Sequence, residues 1–278
     1  MTTTLPASLT VVTICRNALP LLRETVESVL GQDHPGLEYW IVDGASTDGT
    51  SEYLASLRPR GVRVLSEADR GISDAMNKGI HLASGEWIAH LHAGDRYLPG
   101  ALDGFDRAVK ADPTADVVCG SIIKQEDAGE VLCRAMPARL EIEMTVPHPA
   151  VFARTQCWKD LGGFDEQLAN AMDYDLFLRA RLAGVRFVTL DQPVATVAGG
   201  GQSERSLWKT LEETHTIRRR LLHRGWSCST GFVIFLFVKG NVRIGLQRIG
   251  LHRFVDWYRR SLAPTRKEQI RWTPRSSR

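Results

Sequence analysis

The chain has no long apolar run. Its longest, residues 232–238, covers seven residues and is closed by Lys239 and Arg243, whereas a membrane-spanning helix needs about 20. Residues 1–8 are short and polar, with no basic start, and do not read as a secretory leader. Cysteine is sparse and unpatterned. Cys15, Cys119, Cys133, Cys157 and Cys228 are odd in number, scattered and without CxxC spacing. This argues against a disulfide framework or a cysteine zinc site and fits a reducing compartment. The common phosphate loops are missing as well. Asn17-Ala18-Leu19-Pro20 stands where a GxGxxG would follow the first predicted strand, and no GxxxxGK[ST] occurs. Neither a dinucleotide site nor a Walker loop is indicated.

At 278 residues, 43% hydrophobic and 24% charged, the composition is that of an ordinary globular protein able to bury a full core. The net charge of +3 hides an asymmetry. From Arg205 onward there are 17 Lys/Arg against 4 Asp/Glu, so the first 204 residues are acidic.

Strand and helix patterns alternate four times in that acidic part. Residues 9–15 (LTVVTIC), 37–43, 62–66 and 86–91 read as buried strands, and 19–30, 52–57, 72–83 and 98–110 as helices, with Pro99 in a first turn. Ser46, Thr47 and Asp48 are candidate N-caps for the second helix. Short links between alternating elements predict an α/β fold, with a Rossmann-like, mostly parallel sheet flanked by helices. The rhythm then changes. Residues 116–124 and 131–135 predict a hairpin about Asp127-Ala128-Gly129, 173–182 a helix, and 186–198 a strand. The expected organisation is an α/β domain over 1–204, a basic amphipathic helical extension over 205–262, and a disordered tail over 263–278.

Carboxylates collect at predicted strand ends: Asp43 after the second strand, Glu67 and Asp69 after the third, Asp95 after the fourth. Asp173 and Asp175 open a later helix. Parallel strands place their carboxyl ends on one edge, where ligands of open α/β sheets bind. Clustered carboxylates require a cation or a proton. Mg²⁺ or Mn²⁺ suits oxygen donors and a phosphate-bearing substrate. Any one of these acids also reads as a solvated loop residue or a cap.

The ordered set TVVTICRN, VDGASTDGT, SEADRGISDAMNKG, SGEWIAHLHAGD, HPAVF, GGFDE, MDYDLFLR and AGGGQS resembles family 2 of the nucleotide-sugar glycosyltransferases, over roughly seventy per cent of the chain. The resemblance implies a GT-A fold and an inverting transfer of sugar from a nucleoside-diphosphate donor, UDP by family habit, to an acceptor hydroxyl. It implies Asp43 against the nucleobase or ribose, with Thr13 and Arg16 in the same donor pocket. Asp69 falls near the uridine edge, with Asp74 and Asn77 in the adjoining segment. Asp95 would be the metal ligand for Mn²⁺ or Mg²⁺, and Asp173 the catalytic base. Gly201 and Ser203 lie in a loop that closes over donor or acceptor. Two departures stand out: His92-Ala93-Gly94-Asp95 carries a single carboxylate, and Met172 replaces an acid before Asp173. His92 reads either as a structural histidine or as a helper at the metal, and Asp173 or Asp175 alternatively as a helix cap.

His148 reads as an acceptor-side or a turn residue. Trp40, Trp87 and Trp158 read as core aromatics, and Arg179 and Arg181 as solvated. The basic extension, with Arg218-Arg219-Arg220 and later Lys and Arg among apolar residues, suits an anionic membrane surface, a subunit interface or a solvated face. Nucleic acid is not expected, because no recognised module accompanies the charge. Expected partners are the nucleotide-sugar donor and a saccharide or lipid-linked saccharide acceptor in cell-surface polysaccharide or glycolipid synthesis. The expected location is cytoplasmic, or peripheral on the inner membrane face. Two rival functions are a nucleotidyltransferase, which would want a basic Gly-rich loop after the first strand, and a non-catalytic scaffold of the same fold.

Overall fold

A computed structural model describes residues 7–126, 129–198, 206–222 and 268–269. Four parallel strands form one half of the sheet: β1 (Leu9–Cys15), β2 (Leu37–Asp43), β3 (Arg63–Ser66) and β4 (Trp87–His90), in the order β3-β2-β1-β4. Strand β1 is central and buried along its whole length, which explains its unbroken apolar sequence. Successive side chains face opposite layers. Val11 and Cys15 enter one core with Leu22, Val26 and Phe105, and Val12 and Ile14 enter the other with Met76 and Ile80. Helices α1 (Leu19–Leu30) and α4 (Ala101–Ala111) contribute to the first core, and α3 (Ile72–Leu82) to the second. Helix α2 (Thr50–Leu57) buries Leu54 and Leu57 in the first.

The second half makes the sheet mixed. Strand β6 (Val117–Glu126) pairs antiparallel with β7 (Gly129–Cys133), the expected hairpin. Strand β8 (Val151–Arg154) joins the halves, antiparallel to both β4 and β6. Strand β9 (Phe187–Ala198) runs parallel to β6 and also holds the two-residue β5 (Arg96–Tyr97). Strand β10 (Glu268–Gln269) pairs with β7. Helix α5 (Thr155–Asp160) follows β8, α6 (Met172–Leu182) precedes β9, and α7 (Leu207–Leu221) follows it.

Helix starts differ from the sequence expectation. The N-cap of α2 is Gly49, at φ 87, a left-handed position that glycine adopts without penalty. Asp48 is its neighbour: its carboxylate accepts from the Thr50 N–H at 3.3 Å and the Leu19 N–H at 3.1 Å, tying together the starts of α1 and α2. Ser46 and Thr47 point elsewhere, to Asp43 and Asn17. Helix α4 starts at Ala101, after Gly100 at φ 75, so Leu98 and Pro99 precede it.

Helix α7, the described start of the basic extension, is built into the fold. It packs on α6, Ile217 is buried in the second core, and Leu211 is also buried. Arg218 is buried and donates to the carbonyls of Glu141 and Ile142 and to the Tyr174 hydroxyl. Arg220 pairs with Asp165 and Asp175. Of the three consecutive arginines expected on a membrane-facing or solvated surface, these two are committed to the fold. The rest of the basic extension, residues 223–262, and the expected disordered tail apart from 268–269 lie outside the described residues.

Candidate active site

The carboxyl ends of β1 and β4 open into a cavity of about 730 Å³. It is lined from β1 and its exit by Ile14, Cys15, Arg16 and Ala18, and from the segment entering α3 by residues 69–75. His92, Ala93, residues 166–169 and Lys209 complete it. Of the expected donor-site residues, Arg16, Asp69 and Asp74 line this space.

Asp43 ends β2 fully buried, behind the lining. Its carboxylate accepts from the Ser46 N–H at 3.2 Å and from the hydroxyls of Ser46 at 2.5 Å and Ser66 at 2.7 Å. It therefore holds the β2–α2 turn and the end of β3 in register. The next residue needs to be glycine for a steric reason: a Cβ at Gly44 would lie 2.2 Å from Asp69 Oδ2 and 3.3 Å from Arg16 Cδ. That close approach brings Asp69 beside Arg16. Asp69 also accepts from the Gly71 N–H at 3.0 Å, which shapes the entry into α3.

Asp74 and Asn77 brace the wall. Asp74 accepts from the Arg70 N–H and guanidinium at 3.0 and 2.9 Å and pairs with Lys78 at 3.5 Å. The Arg70 contacts pull its pKa down to about 2. Asn77 exchanges two hydrogen bonds with the Phe164 backbone, at 2.8 and 2.9 Å, fastening α3 to the GGFDE loop. Its amide is spent there, and it lies outside the cavity lining. Thr13 also departs from expectation. It is fully buried and its hydroxyl meets that of Tyr39 at 2.9 Å. Two residues on, the last residue of β1 reaches the edge, so Cys15 takes the lining place. Gly201 and Ser203 lie outside the described residues.

The loop after β4 is clamped by α1. The Thr25 hydroxyl accepts from the Gly94 N–H at 3.0 Å and lies 2.8 Å from the Asp95 carbonyl. Among the described residues no basic side chain pairs with Asp95, and burial raises its pKa to about 7. His92 packs its ring 4.3 Å from that of His148, and the Nε2 atoms of both are buried without partners. His148 thus packs behind His92 and does not line the cavity. Desolvation pushes its pKa down to about 3, and that of His90 to about 4. Trp87 and Trp158 are core residues, as expected.

Asp173 is the second residue of α6. The N-cap is Ala171, so neither Asp173 nor Asp175 caps the helix. Asp175 is fully buried and pairs with Arg179 at 2.8 Å and with Arg220. Arg179 also donates to the carbonyls of Leu161 and Gly163, so it is a structural clasp and not a solvated residue. Among the described residues Asp173 pairs with no cation. Its carboxylate accepts from the Tyr174 N–H at 2.7 Å, and desolvation raises its pKa to about 6.

The strongest support for this segment was not anticipated from the sequence. Glu213, buried on α7, accepts from three successive backbone N–H groups: Ala169 at 3.0 Å, and Asn170 and Ala171 at 2.9 Å each. Those residues link the cavity wall to the start of α6. No local motif announces this contact, because it spans more than 40 positions.

Among the described residues no three His, Cys, Asp or Glu side chains are grouped to hold a metal ion. The donor chemistry nevertheless fits one hard cation at Asp95, a desolvated carboxylate with no basic partner among the described residues, provided that a ligand diphosphate supplies further oxygens.

A mixed sheet between helical layers, with a polar cavity at its strand ends, defines the fold of the GT-A glycosyltransferases. Among solved structures, it is similar to Staphylococcus aureus TarS 1–349 in complex with UDP-GlcNAc, with TM-score 0.63 and 19% identity over 81% of this chain and 70% of that one. It is also similar to the mannosyltransferase PcManGT from Pyrobaculum calidifontis in complex with GDP-Man and Mn²⁺, with TM-score 0.62 and 21% identity over 83% and 70%. The profile of glycosyl transferase family 2 matches residues 10–160, and the chain belongs to that family. An uncharacterized glycosyltransferase of Mycobacterium tuberculosis is 31% identical over 181 residues, 63% of this chain and 69% of its own length. Chondroitin synthase of Pasteurella multocida is 28% identical over 177 residues, 60% of this chain but 18% of its own.

Proposed function

We propose that this glycosyltransferase performs an inverting transfer of a sugar from a nucleoside-diphosphate donor, UDP-linked by default, to an acceptor hydroxyl. The carrying observation is Asp173, a desolvated carboxylate that pairs with no cation among the described residues; it does not itself line the cavity but stands in α6, four residues along the chain from Ala169 of the cavity wall. The acceptor oxygen attacks the anomeric carbon as the bond to the donor phosphate breaks, and Asp173 takes the hydroxyl proton. General-base help of this kind is worth about 10²–10⁴-fold. Arg16, Asp69 and the Asp43-braced turn position the donor at the strand ends. A divalent ion bound at Asp95, Mn²⁺ or Mg²⁺, would supply Lewis-acid stabilisation of the diphosphate charge.

A thermal-shift panel of nucleoside diphosphates and their sugars, each with Mn²⁺, Mg²⁺ or chelator, tests the donor reading. A bound donor at 100 times its Kd stabilises by about 2.7 kcal/mol. A panel in which no nucleotide moves the melting point would refute it.

The acceptor belongs to cell-surface polysaccharide or glycolipid synthesis. Chondroitin synthase supports this reading, as does a PGL/p-HBAD biosynthesis glycosyltransferase of Mycobacterium bovis that is 27% identical over 167 residues, 59% of this chain and 65% of its own length. Among the described residues no helix is long and apolar enough to cross a membrane. Contact with an anionic membrane surface is assigned to residues 223–262 on their sequence, in which basic residues stand among apolar ones. Sedimentation with anionic liposomes should recover the full chain but not one ending at residue 222, which keeps α7. Equal recovery of both would remove the membrane from the reading.

A further inference from the structure

Six charged side chains line the cavity, and three of them, Arg70, Asp74 and Glu166, are tied up in ion pairs. Arg70 pairs with Asp74 at 2.9 Å and with Glu166 at 2.6 Å, and Lys78 adds a second cation to Asp74. Asp69 is held by the Gly71 N–H beside Gly44. Two cations remain. Arg16 at the end of β1 and Lys209 near the start of α7 both line the cavity, and neither has a carboxylate partner among the described residues.

Helix α7 brings Lys209 there by design of its spacing. Lys209 and Glu213 are four residues apart and share one helix face. Glu213 is fixed by its three backbone N–H contacts to residues 169–171, and Ala169 is itself cavity wall. Locking Glu213 to this wall carries the same face, with Lys209, to the cavity. Residue 209 lies beyond the 10–160 family match, on helix α7.

A nucleoside diphosphate carries more negative charge than one divalent ion on a single carboxylate balances. We propose that Lys209 is a binding residue for the donor diphosphate and, with Arg16, supplies positive charge that the one-carboxylate loop His92-Ala93-Gly94-Asp95 leaves wanting. The inference rests on the donor reading above and deepens it. It requires diphosphate affinity that persists without metal and depends on the lysine.

The test is calorimetric binding to the full chain in chelator, using UDP, GDP, uridine and guanosine, for the wild type, Lys209→Gln and Lys209→Arg. Charge-assisted contacts of this kind correspond to about 10- to 100-fold in Kd. The expected result is that Lys209→Gln weakens the preferred diphosphate by about 10-fold or more and leaves its nucleoside unchanged, while Lys209→Arg retains most of the affinity. Unchanged diphosphate binding by Lys209→Gln overturns the assignment and leaves the donor reading standing. Equal weakening of nucleoside and diphosphate also overturns it, since that marks a disturbed fold. A wild type that binds no nucleotide, even with Mn²⁺, overturns both.

Discussion

Asp173→Asn should abolish transfer, by at least the 10²–10⁴-fold of a lost general base, while the protein folds and binds nucleotide as before. It should also become more stable at neutral pH. Burial raises the folded-state pKa of Asp173 to about 6, above the roughly 3.9 of an unfolded aspartate. Between those values the folded chain holds a proton that the unfolded chain has released. Stability therefore falls as pH rises through this window, and the cost persists above it. Two pKa units correspond to about 3 kcal/mol, an upper bound for what the neutral amide can recover. The same pKa sets the activity profile. The base works only when ionised, so log(kcat/KM) of the wild type should rise with unit slope below about pH 6 and level above it. Turnover near the wild-type value in Asp173→Asn, or a flat acid limb, would dismiss Asp173 from the role. A melting point that rises in the variant at pH 8 but not at pH 4 would show that the carboxylate is held against its own solvation.

The sequence made the sheet legible where the physics is local. The β-branched run at residues 9–15 reads as a strand buried on both faces, the aromatic and aliphatic residues at 39–42 as a second, partly buried one, and the helix between them follows from apolar spacing. Strand β5 and helix α5 were missed because two and six residues are too short to show a period. Within the site, acids at strand ends were readable, but their partners were not. Thr13 and Cys15 share one face of β1. Only the length of the strand decides that Cys15 emerges at the edge while Thr13 stays in the core against Tyr39. Asp74 and Asn77 stand in the right segment, yet Arg70 and the Phe164 backbone occupy their polar atoms. Helix α7 was misread for a related reason. Glu213, Arg218 and Arg220 look like a solvated charged face, because nothing local shows that their partners are carbonyls, N–H groups and acids 42 to 77 residues away.

That misreading leads to the second large effect. Glu213→Ala removes one carboxylate and strands two buried N–H donors, at Asn170 and Ala171, and a half-buried one at Ala169. An unsatisfied buried donor costs about 1–3 kcal/mol, so the variant should lose at least about 2 kcal/mol, a large share of the 5–15 typical of a folded domain. Denaturant midpoints measure this loss directly. Lost stability alone is compatible with a purely structural residue, so the catalytic consequence has to be read below the melting temperature of both proteins. There the freed segment opens half-buried Asp173 further to water, and its pKa should fall from about 6 toward the ordinary carboxylate range. The acid limb of kcat/KM should move down in pH with it, and kcat should drop while the Kd for nucleotide stays within a few fold. Glu213→Gln keeps an acceptor oxygen and should fall between the two. An unshifted acid limb with full kcat in Glu213→Ala, despite a lowered midpoint, would confine Glu213 to holding the fold. A shifted limb would show that α7, outside the family-matched segment, sets the ionisation of the base.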